Sequence, residues 1–212
     1  MYLPSHFEQK DEAALRSLMR AHPLATLVTL QDGAPTADHV PLEYDAATRT
    51  LRGHVARANP LWQAAAGHGV LAVFCGPQAY VTPSWYPSKA QSHKVVPTWN
   101  YAVVHAHGTL HAVEEAPWLH ALVSRLTAHH ERPRERPWAV ADAPADYVQQ
   151  MLRAIVGIEI AVERLVGKWK LSQNRNESDR LGVADGLDQG ASASRAVARL
   201  VRDPAAPPEE TA

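Results

Sequence analysis

Strand-like runs recur at short intervals between residues 24 and 162, with helical segments inserted among them. Leu24-Ala25-Thr26-Leu27-Val28-Thr29-Leu30 is the first, and Gln31-Asp32-Gly33 after it has hairpin-turn chemistry. Further runs cover residues 36–44, 50–57 and 70–75, and Gly76-Pro77 reads as a turn into the next, 79–85. Pro83 inside that run implies an edge strand or a bulge, because proline donates nothing to a ladder. A loop over 86–94 leads to a long run at 95–113, and a last run spans 156–162. Short strands at this spacing point to a mainly β chain, an antiparallel barrel decorated by helices.

The helices carry their own punctuation. Ser5 and Glu8 have capping-box spacing, and Asp11 offers a second cap. Leu15, Leu18 and Met19 then follow at helical spacing until His22-Pro23. Asn59-Pro60 opens a short helix over 61–66. Residues 117–129 place Leu119, Leu122, Val123 and Leu126 on one stripe, and 145–155 form another helix. Between them, residues 132–143 are rich in proline and charge and read as an exposed connection. Two helices, 176–187 and 192–201, follow Arg175 and are separated by Gly190. The expected organisation is a barrel domain over 1–175, a helical extension over 176–203 packing on the barrel or a dimer partner, and a disordered tail at 204–212.

Composition removes several classes of function. A net charge of −1 argues against a strongly basic nucleic-acid surface. One cysteine, Cys75, excludes an internal disulfide framework and a cysteine-rich zinc site, and its apolar run predicts a buried, inert thiol. The start, Met1-Tyr2-Leu3-Pro4, has no cationic and apolar signal pattern, and no charge-free run approaches the ~20 residues that a bilayer span needs. A soluble, cytoplasmic protein is expected.

The densest set of ligand-binding side chains follows the last strand run. Gly167-Lys168-Trp169-Lys170 leads into Leu171-Ser172-Gln173-Asn174-Arg175. Cations suit a phosphate, and amide or hydroxyl groups suit heteroaromatic edges, so the stretch fits a phosphorylated planar ligand. A solvated strand end is the alternative. Arg57 stands where a strand ends beside a helix start, a position that favours an anion; otherwise it is a solvated arginine beside a capped helix. Two aromatic segments, 76–86 and 96–101, offer Trp85, Tyr86, Trp99 and Tyr101 for stacking, or for core. Ser84, Thr98 and Asn100 add edge contacts. His105, His107 and His111 share strand parity, and this reads as a hydrogen-bonded face rather than a metal site.

Several of these pieces recur together in a known family. They are Met1-Tyr2, Pro4 and His6-Phe7; His39-Val40-Pro41-Leu42; and Gly53-His54-Val55-Ala56-Arg57-Ala58-Asn59-Pro60. Ala79-Tyr80-Val81, Pro83-Ser84-Trp85-Tyr86, Val96-Pro97-Thr98-Trp99-Asn100-Tyr101 and Lys168 to Arg175 continue the series. In this order, from residue 1 to about 190, the chain resembles the PaiB-type FMN-binding negative transcriptional regulators, relatives of the pyridoxamine-phosphate-oxidase-like flavin-binding split barrels. The resemblance implies a six-stranded antiparallel split β-barrel with peripheral and C-terminal helices, a homodimer, and FMN at the subunit interface. It places Arg57 and Asn59 near the phosphate, and Lys170, Gln173 and Asn174 near the phosphate or the ring edge. Ser84, Trp85, Tyr86, Thr98, Trp99 and Asn100 line the rest of the pocket.

Two functions follow from that resemblance. One is a flavin-binding repressor, although DNA contact has no support in the charge pattern. The other is an FMN-dependent oxidoreductase on a small molecule, with His39 or Tyr86 moving protons. No catalytic residue is identified by the sequence.

Overall fold

The structure, a computed structural model, describes residues 1–206. The expected disordered tail therefore falls outside the described residues from position 207 onward. In chain order the elements are β1 (Glu8–Gln9), α1 (Glu12–Ala21), β2 (Leu24–Gln31), β3 (Ala34–Pro41), β4 (Glu43–Asp45), β5 (Thr50–Ala56), α2 (Leu61–Ala64) and β6 (Gly69–Val81). Then come α3 (Lys89–Ser92), β7 (Thr98–Val113), α4 (Ala116–Glu131), α5 (Ala145–Arg153), β8 (Ile155–Lys170), α6 (Glu177–Asp188) and α7 (Ser192–Arg202).

The chain is mainly β with helices, and its strands form one antiparallel sheet in the open order β3-β2-β6-β7-β8-β5-β4, with β1 paired to β8. Among the described residues eight strands are present, where the resemblance implied a split barrel of six. Two of the eight are very short: β1 has two residues and β4 three, too few for an alternating pattern to announce them. Asp32 and Gly33 take positive φ values of 51° and 80°, and this tight turn sets the β2–β3 register from Gln31↔Ala34 to Leu24↔Pro41.

Four expectations change at this level. Gly76-Pro77 is not a turn, because β6 runs straight through it. A Cβ at Gly76 would stand 2.7 Å from Leu18 Cδ1, so the glycine marks the close approach of α1 to the strand. Cys75 is exposed rather than buried, since it alternates with Phe74, whose side chain is fully buried. The last strand extends to Lys170, so Lys168 and Lys170 stand on a strand rather than in the loop after it. Asp11, not Ser5, caps α1, accepting a bond from Ala13 N.

By compactness the chain divides into two units, and the boundary falls inside the long strands β6, β7 and β8. The first unit takes Met1–His22, Phe74–His105 and the chain from Leu165 onward. Its core contains Leu15, Leu18 and Met19 of α1, Phe74, Trp169, Leu187 of α6 and Val197 of α7. The second unit takes Pro23–Val73 and Ala106–Arg164, with Leu27, Leu51, Leu110, Leu122 and Ile158 in its core. There α4 lies close on the sheet: a Cβ on Gly157 would stand 2.4 Å from the Trp118 ring.

Burial holds His22 in the first unit and His54 in the second below the ordinary imidazole value of 6.5. The His54 Nδ1 is buried without a hydrogen-bond partner. Between each folded value and 6.5 the unfolded chain binds more protons, so stability falls as pH drops through that window and levels off below it. Thermal melts taken between about pH 8 and pH 5 are expected to show Tm declining on the acid side of about 6.5, with a shallower decline in His54→Gln. A Tm that rises as pH falls through that window would contradict the assignment.

Candidate functional site

Nine of the eleven side chains that the resemblance places at the pocket lie in the first unit, and Arg57 and Asn59 lie in the second. In the second unit, Arg57 donates to Arg153 O (2.8 Å), to Ile155 O (3.2 Å) and to Glu114 Oε2 (2.6 Å). The guanidinium thereby fastens the end of β5 to the start of β8. Asn59 donates to Asp38 Oδ1 (2.8 Å) and accepts from Leu61 N (2.9 Å). Both side chains are satisfied within the fold.

In the first unit the end of β8 meets the start of β7. Lys170 Nζ donates to Thr98 Oγ1 and to Trp99 O. Next to that contact, Asn100 and Ser172 form a buried pair, with Asn100 Nδ2 donating to Ser172 Oγ at 3.0 Å. Ser172 takes φ 66°, and Gln173 secures the turn there. Its Oε1 accepts from Leu171 N (2.7 Å) and its Nε2 donates to Trp169 O (2.6 Å). Thr98, Asn100, Lys170 and Gln173 are thus brought together, and Asn174 is exposed beside them.

Lys168 is two residues from Lys170 along β8, which puts both on one face of the strand. It is buried, donates to Tyr2 O (3.1 Å), and lies 5.5 Å from the Tyr101 ring centroid and 5.8 Å from that of Tyr2. Among the described residues, neither lysine has a carboxylate partner. Burial, and after it the positive charges of Lys168 and Arg175, hold the Lys170 ammonium below the ordinary lysine range. A partly buried cluster of cations that repel one another is a place where an anion is stabilised.

The aromatic segment has a different arrangement. Tyr86 is buried beneath the Arg175 guanidinium at 4.9 Å, and its hydroxyl is buried without a partner. Trp85 presses on α6: a Cβ at Gly186 would stand 2.3 Å from its ring. Ser88 N and Oγ donate to the two carboxylate oxygens of Asp179, at 3.0 and 2.7 Å, and tie the segment to the same helix. Burial pushes that carboxyl up, but the Ser88 and Asn176 donors outweigh it and hold Asp179 below the usual range. Ser84 accepts from Lys89 at 3.3 Å and is exposed. Trp99 is 48 % exposed yet fixed in orientation, because its Nε1 donates to Gln78 Oε1 (3.0 Å). Its ring lies 6.2 Å from that of Tyr80.

Sequence reasoning placed Lys168 and Ser172 in the ligand-binding stretch without giving either a position at the pocket, and it missed the Ser88–Asp179 tie. The parity of Lys168 with Lys170 was a usable signal once the strand was known to continue that far. No local pattern connects Ser88 to Asp179 across so long a stretch of chain.

Comparison with known proteins shows the family. The family model described as "Putative FMN-binding domain" matches residues 1–164. The chain belongs to this PaiB-type FMN-binding family. Its cofactor is accordingly a flavin. The Bacillus subtilis "Protease synthase and sporulation protein PAI 2" is 34 % identical, over 88 % of this chain and 89 % of the relative. A protein from Emericella nidulans, without an assigned activity in its name, is 32 % identical over 96 % of this chain and 97 % of its own. The FAD and heme binding protein from Mycobacterium smegmatis has a similar fold, with TM-score 0.62 and 17 % identity, covering 84 % of this chain and 80 % of that one.

The donors of the first unit fit the chemistry of such a cofactor. They include two lysines without a carboxylate partner among the described residues, a fixed exposed indole, hydroxyl and amide groups, and an orphaned phenol. Residues 165–175 lie beyond the matched stretch, so their fit is drawn from the geometry of this chain.

Proposed function

We propose that this flavoprotein is a PaiB-type regulator that works as a homodimer with FMN bound, and that Lys168 and Lys170, with Arg175 beside them, hold the FMN phosphate. The two lysines at the end of β8, which have no carboxylate partner among the described residues, carry this reading. Thr98, Asn100 and Asn174 supply hydrogen bonds, Trp99 supplies a stacking face, and Ser84, Trp85, Tyr86 and Gln173 shape the pocket around them. Arg57 and Asn59 enter as fasteners of the β5 end, because a phosphate at Arg57 has to displace Glu114.

When bound, FMN supplies redox chemistry and a planar, anionic surface; the residues of this chain bind and orient it. Leu24 on β2 is 59 % exposed, apolar surface that a second copy covers on dimerisation. The regulatory role draws on the similarity to the sporulation protein. A chain of net charge −1 favours regulation through a protein surface over duplex contact.

The test is genetic and biochemical together. Deleting the gene in its source organism is expected to raise a defined set of transcripts, restored by the wild-type chain and not by Lys170→Ala. Purified protein is expected to bind duplex DNA weakly and without a steep dependence on salt. An unchanged transcript profile would remove the regulatory reading, and tight, strongly salt-dependent binding to one duplex would overturn the indirect mechanism.

A further inference from the structure

Within the second unit, α4, α5 and the connection between them border a pocket of about 200 Å³. Its lining is apolar and includes Val123 of α4, Trp138 of the connection, and Tyr147, Val148, Met151 and Leu152 of α5. Among the described residues no charged side chain lines it. Leu152 is buried, whereas Trp138, Tyr147 and Met151 are 48, 52 and 40 % exposed. Three large apolar side chains around one hollow leave surface that is unfavourable in water and that a ligand can cover.

The wall that carries Trp138 is fixed in advance. The Glu131 carboxylate, at the end of α4, accepts from Trp138 N and from Arg134 Nε, both at 3.1 Å. The Trp138 bond is the foremost cause that holds Glu131 below the usual carboxylate range, so this anchor is ionised near neutral pH. Asp142 Oδ2 accepts from Ala139 N at 2.8 Å, and Asp142 N donates back to Ala139 O at 2.9 Å. Pro133, Pro137 and Pro144 restrict the backbone further. A connection rich in proline and charge is thereby tied to the helix before it and to itself.

Size and polarity select the occupant. The volume is below the ~300–1,000 Å³ usual for larger ligands and near the ~150 Å³ of an apolar cavity that takes up benzene. A charged ligand would lose hydration here without meeting an opposite charge in the lining. Two aromatic side chains and the Met151 thioether favour a flat, polarisable partner over an aliphatic one. We propose that this pocket binds a neutral molecule with one aromatic ring. The inference does not rest on the flavin assignment, whose lysines lie in the first unit.

Calorimetric titration of the full chain with toluene, benzoate and benzylamine tests it, since the last two carry a negative and a positive charge at neutral pH. Toluene is expected to bind saturably, one per chain, and each charged analogue at least roughly tenfold more weakly. Ala143 also lines the pocket, on extended backbone that accepts any side chain, so Ala143→Phe fills the space from within. That variant is expected to abolish toluene binding while FMN affinity, followed by absorption, and Tm stay at least as high as in the wild type. Trp138→Ala keeps the backbone bond to Glu131 and is expected to weaken toluene by about tenfold. Absence of saturable toluene binding, equal binding of either charged analogue, or undiminished binding by both folded variants would overturn the proposal. Absence of toluene binding together with a dimer that dissociates in Trp138→Ala would assign the surface to a second copy of the chain and overturn it equally.

Discussion

Lys170→Ala is expected to weaken FMN binding by roughly ten- to a hundredfold, the effect of losing a charge-assisted contact of about 1.5–3 kcal/mol in a shielded place. Three observations make Lys170 the variant of choice. Its ammonium is half-buried beside two other cations, it has no carboxylate partner among the described residues, and it is directed by Thr98 and Trp99 at the start of β7. Lys168→Ala is a poorer test, because Lys168 also fills buried space between Tyr2 and Tyr101. Lys170→Met, which keeps the length of the stem, should match the alanine variant if charge is what matters. Flavin absorption and fluorescence titrations check both, with circular dichroism to confirm the fold. Wild-type affinity in both folded variants would exclude Lys170 from the phosphate site.

Gly108→Ala is expected to lose about 2–4 kcal/mol of stability. A Cβ at Gly108 would stand 2.1 Å from Ala161 O and 2.9 Å from Ala161 C, both backbone atoms of the neighbouring strand. A side chain could rotate away from such a contact; a paired strand has to shift as a whole. For a chain of this size, at ~2–4 °C per kcal/mol, Tm should fall by roughly 5–15 °C, measurable by calorimetry. A change within about 1 °C would mean that β7 and β8 do not approach as closely as described.

Much of this fold was legible in the sequence where periodicity and turn chemistry agree. The Gln31-Asp32-Gly33 hairpin, the Leu15, Leu18 and Met19 stripe of α1, and the two C-terminal helices are present as expected. Reading failed where a residue had two physical uses. Gly76-Pro77 carries turn chemistry, yet the glycine serves the approach of Leu18 and the strand continues. The apolar run around Cys75 suggested burial, although alternation turns that thiol outward. The short strands β1 and β4 depend on pairing with distant partners, so no local signal predicts them.

The candidate site divides in the same way. Residue types alone suggested the cations and amides between Lys168 and Arg175; within that stretch Lys170 reaches Thr98 and Ser172 pairs with Asn100 in the first unit. Arg57 looked available because a sequence shows no partner for it. In three dimensions its guanidinium is occupied by two carbonyls and Glu114, contacts made across some 57–98 positions of chain. Trp85, which the sequence left between a stacking surface and core, packs on Gly186, where the lack of a side chain lets an indole lie against that turn of α6.

The most direct measurement compares FMN with riboflavin, two ligands that share a ring system and differ by the phosphate, in titrations of the purified chain. FMN is expected to bind at least roughly tenfold more tightly than riboflavin, with the gap narrowing in Lys170→Ala, because the cation cluster recognises the phosphate. Equal affinity for the two flavins, or a gap that Lys170→Ala leaves intact, would contradict a phosphate site at the end of β8.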